Sequence, residues 1–215
     1  MDRWATFDCY GTLIDWNGGI RAELVRLFGG DRADDLLHRY HELEPQVEAA
    51  SPGMRYRDVM AAVLARLGEP PAGEEDALGR SLPGWRPFAE VPAALEEARR
   101  CGWRLAILSN TDRDLIEASK SRLGVPFDET VVASEIASYK PAHRHWEEFF
   151  ARTAAPRETH VHVAASHFHD IVPARELGLR SVWINRLDER AEPAPDRELA
   201  DLAALPETLD ELVPA

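Results

Sequence analysis

The sequence predicts an α/β fold with a doubly wound parallel sheet and an inserted helical cap. Two observations lead to this prediction. From residue 85 onward, short apolar strands alternate with helices, which is typical of a parallel sheet with helical crossovers. Residues 16–84 contain helical patterns only, with no strand signal between them. We therefore predict a Rossmann-like core made of residues 1–15 and 85–215, and a helical cap made of residues 16–84.

The composition limits the kinds of function. The chain has 215 residues, enough for one large domain or for a core with an insertion. Its 38 acidic and 25 basic residues give a net charge of −13, which argues against nucleic acid or an anionic membrane as a partner. Two cysteines are too few for a disulfide framework. No apolar run reaches the ~18 residues of a membrane span, and no signal-peptide pattern opens the chain, so we expect a cytoplasmic protein.

The first strand is predicted at residues 4–7, which are apolar and rich in strand formers. Asp8 follows where this strand ends, and Gly11 allows the chain to turn at once. Asn17 is then predicted to be the N-cap residue of the first helix in the helical cap, and the apolar residues of this helix extend from position 20 to position 28.

Further helices are predicted in the rest of the cap. The second begins near residue 31, and Pro45 is expected to break or kink it. A third covers residues 56–67 and is followed by a loop over residues 68–73 and by a short helix to about residue 82.

The core continues with regular alternation. Strands are predicted at residues 103–108, 130–133, 160–165 and 180–184. Helices are predicted at residues 91–100, 112–123, 146–153, 171–177 and 207–212.

Polar residues at the ends of these strands are the candidate functional residues, because parallel strands bring their carboxyl ends to one edge of the sheet. Asp8 could be a nucleophile or merely a turn residue. Ser109 and Asn110 could bind an anion or cap a helix. Lys140 could offset the charge of Asp8 or be solvated, and Asp170 could act in the site or cap its helix.

Four histidines fall within ten positions, at residues 160, 162, 167 and 169. Such a cluster suggests a metal site, but no cysteine or acidic cluster lies beside it in the sequence. We expect these histidines to be hydrogen-bonded to protein partners or solvated, and we predict no metal site.

The segment from Asp8 to Asp15 reads Asp-Cys-Tyr-Gly-Thr-Leu-Ile-Asp, and it resembles the first motif of the haloacid dehalogenase superfamily. Ser109, Lys140 and Asp170 fall at the positions of the second, third and fourth motifs, and the helical stretch falls where one subclass inserts its cap. The resemblance implies that the first aspartate of the motif is the nucleophile.

Two departures from the superfamily's phosphatases affect the expected chemistry. The general acid of those enzymes, two residues after the nucleophile, is Tyr10 in this chain. An acidic ligand of their Mg²⁺ is replaced by Ala165. A leaving halide needs neither the proton nor the metal, so both changes favour hydrolysis of a carbon–halogen bond. The first motif with a tyrosine at this position resembles that of the L-2-haloacid dehalogenase branch. We predict no cofactor.

Other positions match that branch less well. It has a serine where this chain has Ala165, and an asparagine where it has His167. It also has an arginine early in the cap that holds the departing halide. No residue matches it cleanly: Arg39 is the nearest earlier arginine, and Arg55 or Arg57 could enter from the next helix.

The resemblance gives each candidate a role. The predicted catalytic residues are Asp8, Thr12, Lys140 and Asp170. The predicted substrate-binding residues are Tyr10, Gly11, Arg39, Ser109, Asn110 and Trp146, the last as an aromatic side chain of the pocket. Backbone N–H groups of the turn at residues 10–12 are the expected donors to an oxyanion.

The predicted function is hydrolytic dehalogenation of a short 2-haloacid, so the partner is a small anionic organic substrate. Two alternatives stay open: a phosphatase of the same fold that takes its acid from elsewhere, and a catalytically silent relative that binds an anionic metabolite. A homodimer is also left open.

Overall fold

A six-stranded parallel sheet forms the centre of the molecule, in the order β3-β2-β1-β4-β5-β6. The computed structural model describes residues 2–215. The strands are β1 (Arg3–Phe7), β2 (Trp103–Ser109), β3 (Glu129–Val132), β4 (His160–Ala164), β5 (Arg180–Ile184) and β6 (Arg197–Leu199). The chain winds outward from β1 in both directions, which confirms the predicted doubly wound α/β class. The short, partly exposed β6 was not predicted, because three residues show no periodicity.

Helices surround the sheet and form the segment between β1 and β2. The α-helices of residues 2–215 are α1 (Trp16–Phe28), α2 (Gly30–Ala50), α3 (Tyr56–Leu67), α4 (Ala77–Ser81), α5 (Val91–Arg100), α6 (Arg113–Leu123), α7 (Ala133–Ile136), α8 (Arg144–Thr153), α9 (Val172–Glu176) and α10 (Leu205–Leu212). A π-helical turn, His167–Ile171, precedes α9, and short 3₁₀ turns follow α4 and precede β4. Within this part of the chain, no helix is both long and apolar enough to cross a bilayer.

Alternate residues of each strand face different helices. In β1, Ala5 and Phe7 belong to the large apolar cluster that includes side chains of α5 and α10. Trp4 points the other way and packs edge-on against Phe149 of α8, with ring centroids 5.3 Å apart. Since strand side chains alternate, Thr6 lies on the α8 face together with Trp4.

Helices α1–α4 form an all-helical insertion over residues 16–84, as predicted. Its division from the rest of the chain into separate domains stays a prediction. The cap of α1 is Asp15 rather than Asn17, because the helix begins at Trp16 and Asp15 Oδ1 accepts the Gly18 N–H at 2.9 Å.

Pro45 does not break α2, which continues to Ala50. Proline has no N–H to donate to the preceding turn, so a helix that continues needs support from packing. Tyr40 and Val47, which lie on either side of Pro45, are both buried in the large apolar cluster. Because the helix continues, Glu44 and Glu48 lie one turn apart on the same face.

Helix α3 takes its N-terminal cap from another part of the chain. Arg55, at its N-cap position, provides no side-chain hydrogen bond. Instead the buried carboxylate of Asp112, from the loop after β2, accepts the backbone N–H groups of Tyr56 and Arg57 at 3.0 and 3.2 Å. The orphan donors of the helix are thus satisfied across the junction between the insertion and the sheet.

Candidate active site

The carboxyl ends of β1, β2 and β4 open into a cavity of about 510 Å³ that the helical insertion covers. Seven of the predicted site residues line it: Asp8, Tyr10, Gly11, Ser109, Asn110, Lys140 and Asp170. The insertion contributes Trp16, Asn17, His41, Glu44, Pro45, Glu48 and Tyr56. The volume is in the range of small-molecule sites.

Asp8 is held in place by its neighbours. Its backbone N–H donates to the carbonyl of Val163 at 3.0 Å, which continues the pairing of β1 with β4. The Thr12 hydroxyl donates to Asp8 Oδ2 at 2.7 Å and accepts the Ala165 N–H at 2.8 Å. Gly11, with φ of +91°, makes the turn that returns Thr12 to the carboxylate.

The ammonium group of Lys140 is completely enclosed and lies between two carboxylates. It donates to Asp8 Oδ1 at 2.9 Å, to Asp170 Oδ1 at 2.6 Å and to the Leu108 carbonyl at 2.9 Å. All three donors of the ammonium therefore have acceptors. Burial opposes its charge, but the two carboxylates outweigh burial and raise the pKa of Lys140.

The two carboxylates beside Lys140 differ in basicity. Burial raises the pKa of Asp8, and the Asp170 charge adds to this effect against the opposing influence of Lys140 and Thr12. Burial also disfavours the charge of Asp170, but Lys140 and a hydrogen bond from His162 lower its pKa to about 2. Asp8 is the more basic carboxylate and the better nucleophile, while Asp170 stays ionised.

A buried chain of hydrogen bonds from residues of β4 and β1 holds Asp170 in place. His162 Nε2 donates to Asp170 Oδ1 at 3.0 Å, since a carboxylate can only accept. In the neutral imidazole, His162 Nδ1 then accepts from the Thr6 hydroxyl at 2.8 Å, and Thr6 in turn accepts from His160 Nε2 at 2.8 Å. Burial lowers the pKa of His160, which keeps it neutral.

The expectation of protein-bonded histidines is confirmed for His160 and His162. The part played by Thr6 was missed in the sequence, where it appeared only as a residue of a buried strand. The available signal was its alternation: Thr6 and the two histidines lie on adjacent strands, and Thr6 pairs with His162 in the register of β1 and β4.

Ser109 and Asn110, at the end of β2, have different surroundings. The Ser109 hydroxyl is buried in the cavity wall and finds no hydrogen-bond partner within residues 2–215. The Asn110 side chain accepts the Lys140 N–H at 2.7 Å and donates to the Lys140 carbonyl at 3.1 Å. Asn110 therefore positions the lysine, whereas the hydroxyl of Ser109 is left with an unused hydrogen-bond donor.

Tyr10 lines the cavity with its ring rather than its hydroxyl. The ring stacks on Tyr56, with centroids 6.4 Å apart, and lies edge-on to Trp85. Its hydroxyl is within 2.9 Å of the Ser119 hydroxyl, away from the carboxylates. Gly11 follows in the same wall.

Two predicted substrate-binding residues do not reach the cavity. Trp146 is fully buried in the apolar layer between α8 and the sheet, because the apolar face of α8 packs inward there. It meets His162 edge-on at 5.1 Å instead. Arg39 is exposed on α2 and donates to the carbonyls of Arg66 and Leu67 at the end of α3.

The other arginines considered for the cap also bind elsewhere. Arg55 and Arg57 form ion pairs with Asp112 and Asp114 at the start of α6. The arginine that does line the cavity is Arg186, which follows β5 and was missed. The strand-end rule used for the other sites would have found it.

Arg186 is tied to the protein on two sides. It donates to the Thr12 carbonyl at 2.9 Å and to Glu90 at 2.7 Å, and its guanidinium lies 3.6 Å from the centroid of Phe88. Its charge is thus shared with Glu90.

Glu44 and Glu48 of α2 were missed as site residues, since acidic residues in a helix are usually solvated. Both are buried and line the cavity, and burial raises the pKa of Glu44 to about 7. The signal that could have found them is their position on the buried face of α2, where Tyr40, Glu44 and Glu48 follow one another at intervals of four residues.

The residues at the strand ends do not fit the Mg²⁺ site of the phosphatases. Asp8 and Asp170 already share the Lys140 ammonium, and Ala165 has no oxygen ligand to offer in its side chain. Mg²⁺ requires near-octahedral oxygen coordination. Among residues 2–215, no group of three or more histidine, cysteine or acidic side chains is arranged to hold a metal.

Comparisons with known proteins identify the family. The haloacid dehalogenase-like hydrolase family matches residues 5–175. A relative, the (S)-2-haloacid dehalogenase of Pseudomonas sp. (strain YL), is 30% identical over 217 residues, covering 95% of this chain and 93% of the relative. The crystal structure of an L-2-haloacid dehalogenase has a TM-score of 0.85 at 24% identity, covering 97% of this chain and 99% of its own.

A second structure, the L-2-haloacid dehalogenase from Xanthobacter autotrophicus with chloropropionic acid covalently bound, also has a TM-score of 0.85. It is 18% identical, covers 97% of this chain and 98% of its own, and shows a shared fold. The motif residues, their arrangement around Lys140 and the match over residues 5–175 lead to one conclusion: the chain belongs to the haloacid dehalogenase-like hydrolases.

Proposed function

We propose that this hydrolase removes halide from short 2-haloacids through an ester formed on Asp8. The observation that carries the proposal is the pair of carboxylates on one ammonium: Asp8, the more basic one, lines the cavity and is fixed by Thr12 and Lys140. The similarity to (S)-2-haloacid dehalogenase supports the substrate class.

In the first step an Asp8 oxygen forms a bond to C2 of the substrate while the carbon–halogen bond breaks, and the halide leaves with the bonding electron pair. The hydroxyl of Ser109, which has no protein partner within the described residues, donates to the substrate carboxylate. Lys140 keeps Asp8 ionised and compensates part of the negative charge of the site.

In the second step water attacks the carbonyl carbon of the Asp8 ester, and the bond from that carbon to the oxygen on C2 of the substrate breaks. One water proton passes to the departing oxygen, which gives the 2-hydroxyacid, and the other passes to solvent as Asp8 returns to its carboxylate. Of the backbone N–H groups of the turn at residues 10–12, that of Gly11 already donates to the Ile14 carbonyl at 2.8 Å. The N–H groups of Tyr10 and Thr12 are therefore the expected donors to the oxyanion. Asp170 Oδ2 has no hydrogen-bond partner within residues 2–215, so it can accept from the attacking water. Asp170 therefore orients both the attacking water and the Lys140 ammonium.

The test is halide release from the two enantiomers of 2-chloropropionate, followed by one turnover in ¹⁸O water. The label is expected in Asp8 before it appears in product, and the Asp8→Asn variant is expected to fold normally but release no halide. Label passing directly into product would contradict the covalent mechanism.

A parallel assay for phosphate release from phosphomonoesters distinguishes the alternatives. Because the side chains at the strand ends do not form a Mg²⁺ site, we expect halide release to continue after chelation by EDTA. Phosphate release that chelation abolishes and Mg²⁺ restores would favour a phosphatase, and release of neither product would favour a binding protein.

A further inference from the structure

The helical insertion presents two carboxyl groups to the cavity, whereas a departing anion needs a cation or a hydrogen-bond donor. Glu44 and Glu48 of α2 are 8% and 4% exposed, and both line the same cavity as Asp8. The Glu48 carboxylate accepts the Asn110 amide at 3.3 Å. Glu44 is held differently.

Two tyrosine hydroxyls fix the orientation of the Glu44 carboxyl group. Tyr40 and Tyr56 both donate to Glu44 Oε1, at 3.2 and 2.7 Å. Tyr56 donates in this bond, and its oxygen accepts the Trp16 indole N–H at 3.1 Å. Glu44 Oε2 makes no hydrogen bond within residues 2–215, so it is the oxygen that can carry a proton toward a ligand.

The charges of the two cations that line the cavity are already paired. Lys140 gives its three donors to Asp8, Asp170 and a carbonyl. Arg186 is paired with Glu90, and its Nε has no hydrogen-bond partner within residues 2–215. A halide that left beside an ionised Glu44 would be repelled. Beside a protonated Glu44, it would receive an O–H donor in a site partly closed to water.

We propose that Glu44, in its protonated form, is a catalytic residue that donates a hydrogen bond from Oε2 to the departing halide. This rests on the proposed dehalogenation. As the bond from Asp8 to C2 forms, the halogen takes the electron pair of the breaking bond and accepts the Glu44 hydrogen bond. The proton stays on Glu44, because halide is a weak base, and no further reactant is needed.

The titratable groups that bond to Glu44 or line the cavity with it come from several parts of the chain. They are Tyr40, His41 and Glu48 of α2, Tyr56 of α3, Asp8 after β1, and Lys140 in the loop between α7 and α8. Any of them could produce a pH dependence, so the test needs a variant specific to Glu44. Glu44→Gln keeps a donor without a titrating proton, since the tyrosines hold its oxygen and leave its NH₂ group for the cavity.

The first measurement is bromide binding to the protein, by calorimetry, between pH 5.5 and pH 8.5, which requires no turnover. Wild-type affinity is expected to fall about tenfold per pH unit once Glu44 has lost its proton. Glu44→Gln is expected to bind bromide with nearly constant affinity over this range. Glu42→Gln, an exposed glutamate on the same helix, is the control and should behave like wild type.

The second measurement is turnover of 2-fluoro-, 2-chloro- and 2-bromopropionate. Glu44→Leu is expected to lose about 100-fold in kcat on the fluoro substrate, and less than tenfold on the bromo substrate, because fluoride depends most on a donor. Equal losses for all three halogens, or a pH-dependent affinity that persists in Glu44→Gln, would overturn the assignment. If wild type binds bromide as described but turns over no 2-haloacid, dehalogenation fails as the function, and Glu44 is a halide-binding residue without a catalytic role.

Discussion

The single ammonium of Lys140 lets two neighbouring carboxylates differ in their chemistry. Asp170 is fully buried and receives a second hydrogen bond, from His162, so it stays ionised at any ordinary pH. Asp8 borders the cavity and is more easily protonated. One residue is thereby suited to attack and the other to orient, although both are aspartates.

The fall in activity at low pH, the acid limb of the pH profile, should reflect protonation of Asp8. Because burial raises its pKa, kcat/KM is expected to fall with decreasing pH at a value above the ordinary ~3.9 of an aspartate. Lys140→Met removes the compensating charge, so it should shift this limb to higher pH and depress kcat. The measurement is the pH profile of kcat/KM in both proteins. A limb that stays in place in Lys140→Met would contradict the coupling.

At the scale of elements, β1 and β4 are joined by side chains as well as by their backbones. The Thr6 hydroxyl connects two histidines of β4 in a layer that is otherwise apolar. Such a network is favourable when its members have partners. Here Thr6 and both ring nitrogens of His162 have them, while His160 Nδ1 has none within residues 2–215. The network also fixes the tautomer of His162 and so the hydrogen bond to Asp170.

Thr6→Val should disrupt this connection. It preserves the shape of the side chain but leaves His162 Nδ1 and His160 Nε2 without a partner in the protein interior, with a cost of about 1–3 kcal/mol in the free energy of unfolding. Thr6→Ser, which keeps the hydroxyl, is the control. Urea denaturation of the three proteins measures the effect, and equal stability of the valine and serine variants would show that the network contributes nothing.

The parts of the site that the sequence predicted are those fixed by strand ends. Asp8, Ser109 and Asp170 follow apolar strands, so the parallel sheet itself brings them together. Trp146 could not be placed in this way, because the direction that α8 presents to the sheet depends on packing with Trp4 and other distant residues.

The cap was harder to predict for a similar reason. Its helices are evident from their periodicity, but nothing local shows that Glu44 meets Tyr56, twelve residues away on another helix. Whether Pro45 would interrupt α2 was also undecidable locally, since packing on both sides of the proline maintains the helix. Burial of polar residues depends on tertiary packing, so it could not be predicted from the local sequence.

At the scale of the whole molecule, buried acids make stability depend on pH. Burial raises the pKa of Glu44 from its ordinary value of 4.5 to about 7. Between these values the folded protein binds the proton that the unfolded chain releases. The contribution of this group to stability is therefore present below pH 4.5 and is lost as pH rises through about 7.

We expect Glu44→Gln to be more stable than wild type at pH 8 by up to about 3 kcal/mol, with little difference at pH 4.5. Chemical denaturation at the two pH values measures it, and Glu42→Gln provides the matched control. A Glu44→Gln variant that is less stable at pH 8 than at pH 4.5 by as much as wild type would show that another group carries the dependence.

The N-terminal cap of α3, which Asp112 of the core provides, has a consequence for the release of product from the cavity. If the helical insertion swings away from the sheet, Tyr56 and Arg57 lose the carboxylate of Asp112, and the first turn of α3 is left with unpaired donors. Separation would then cost about 1–2 kcal/mol at this end alone. If product leaves through this separation, fraying of the helix and escape of product have a shared rate. Asp112→Ala should hasten both, visible as faster hydrogen exchange at these two amides alongside faster product release.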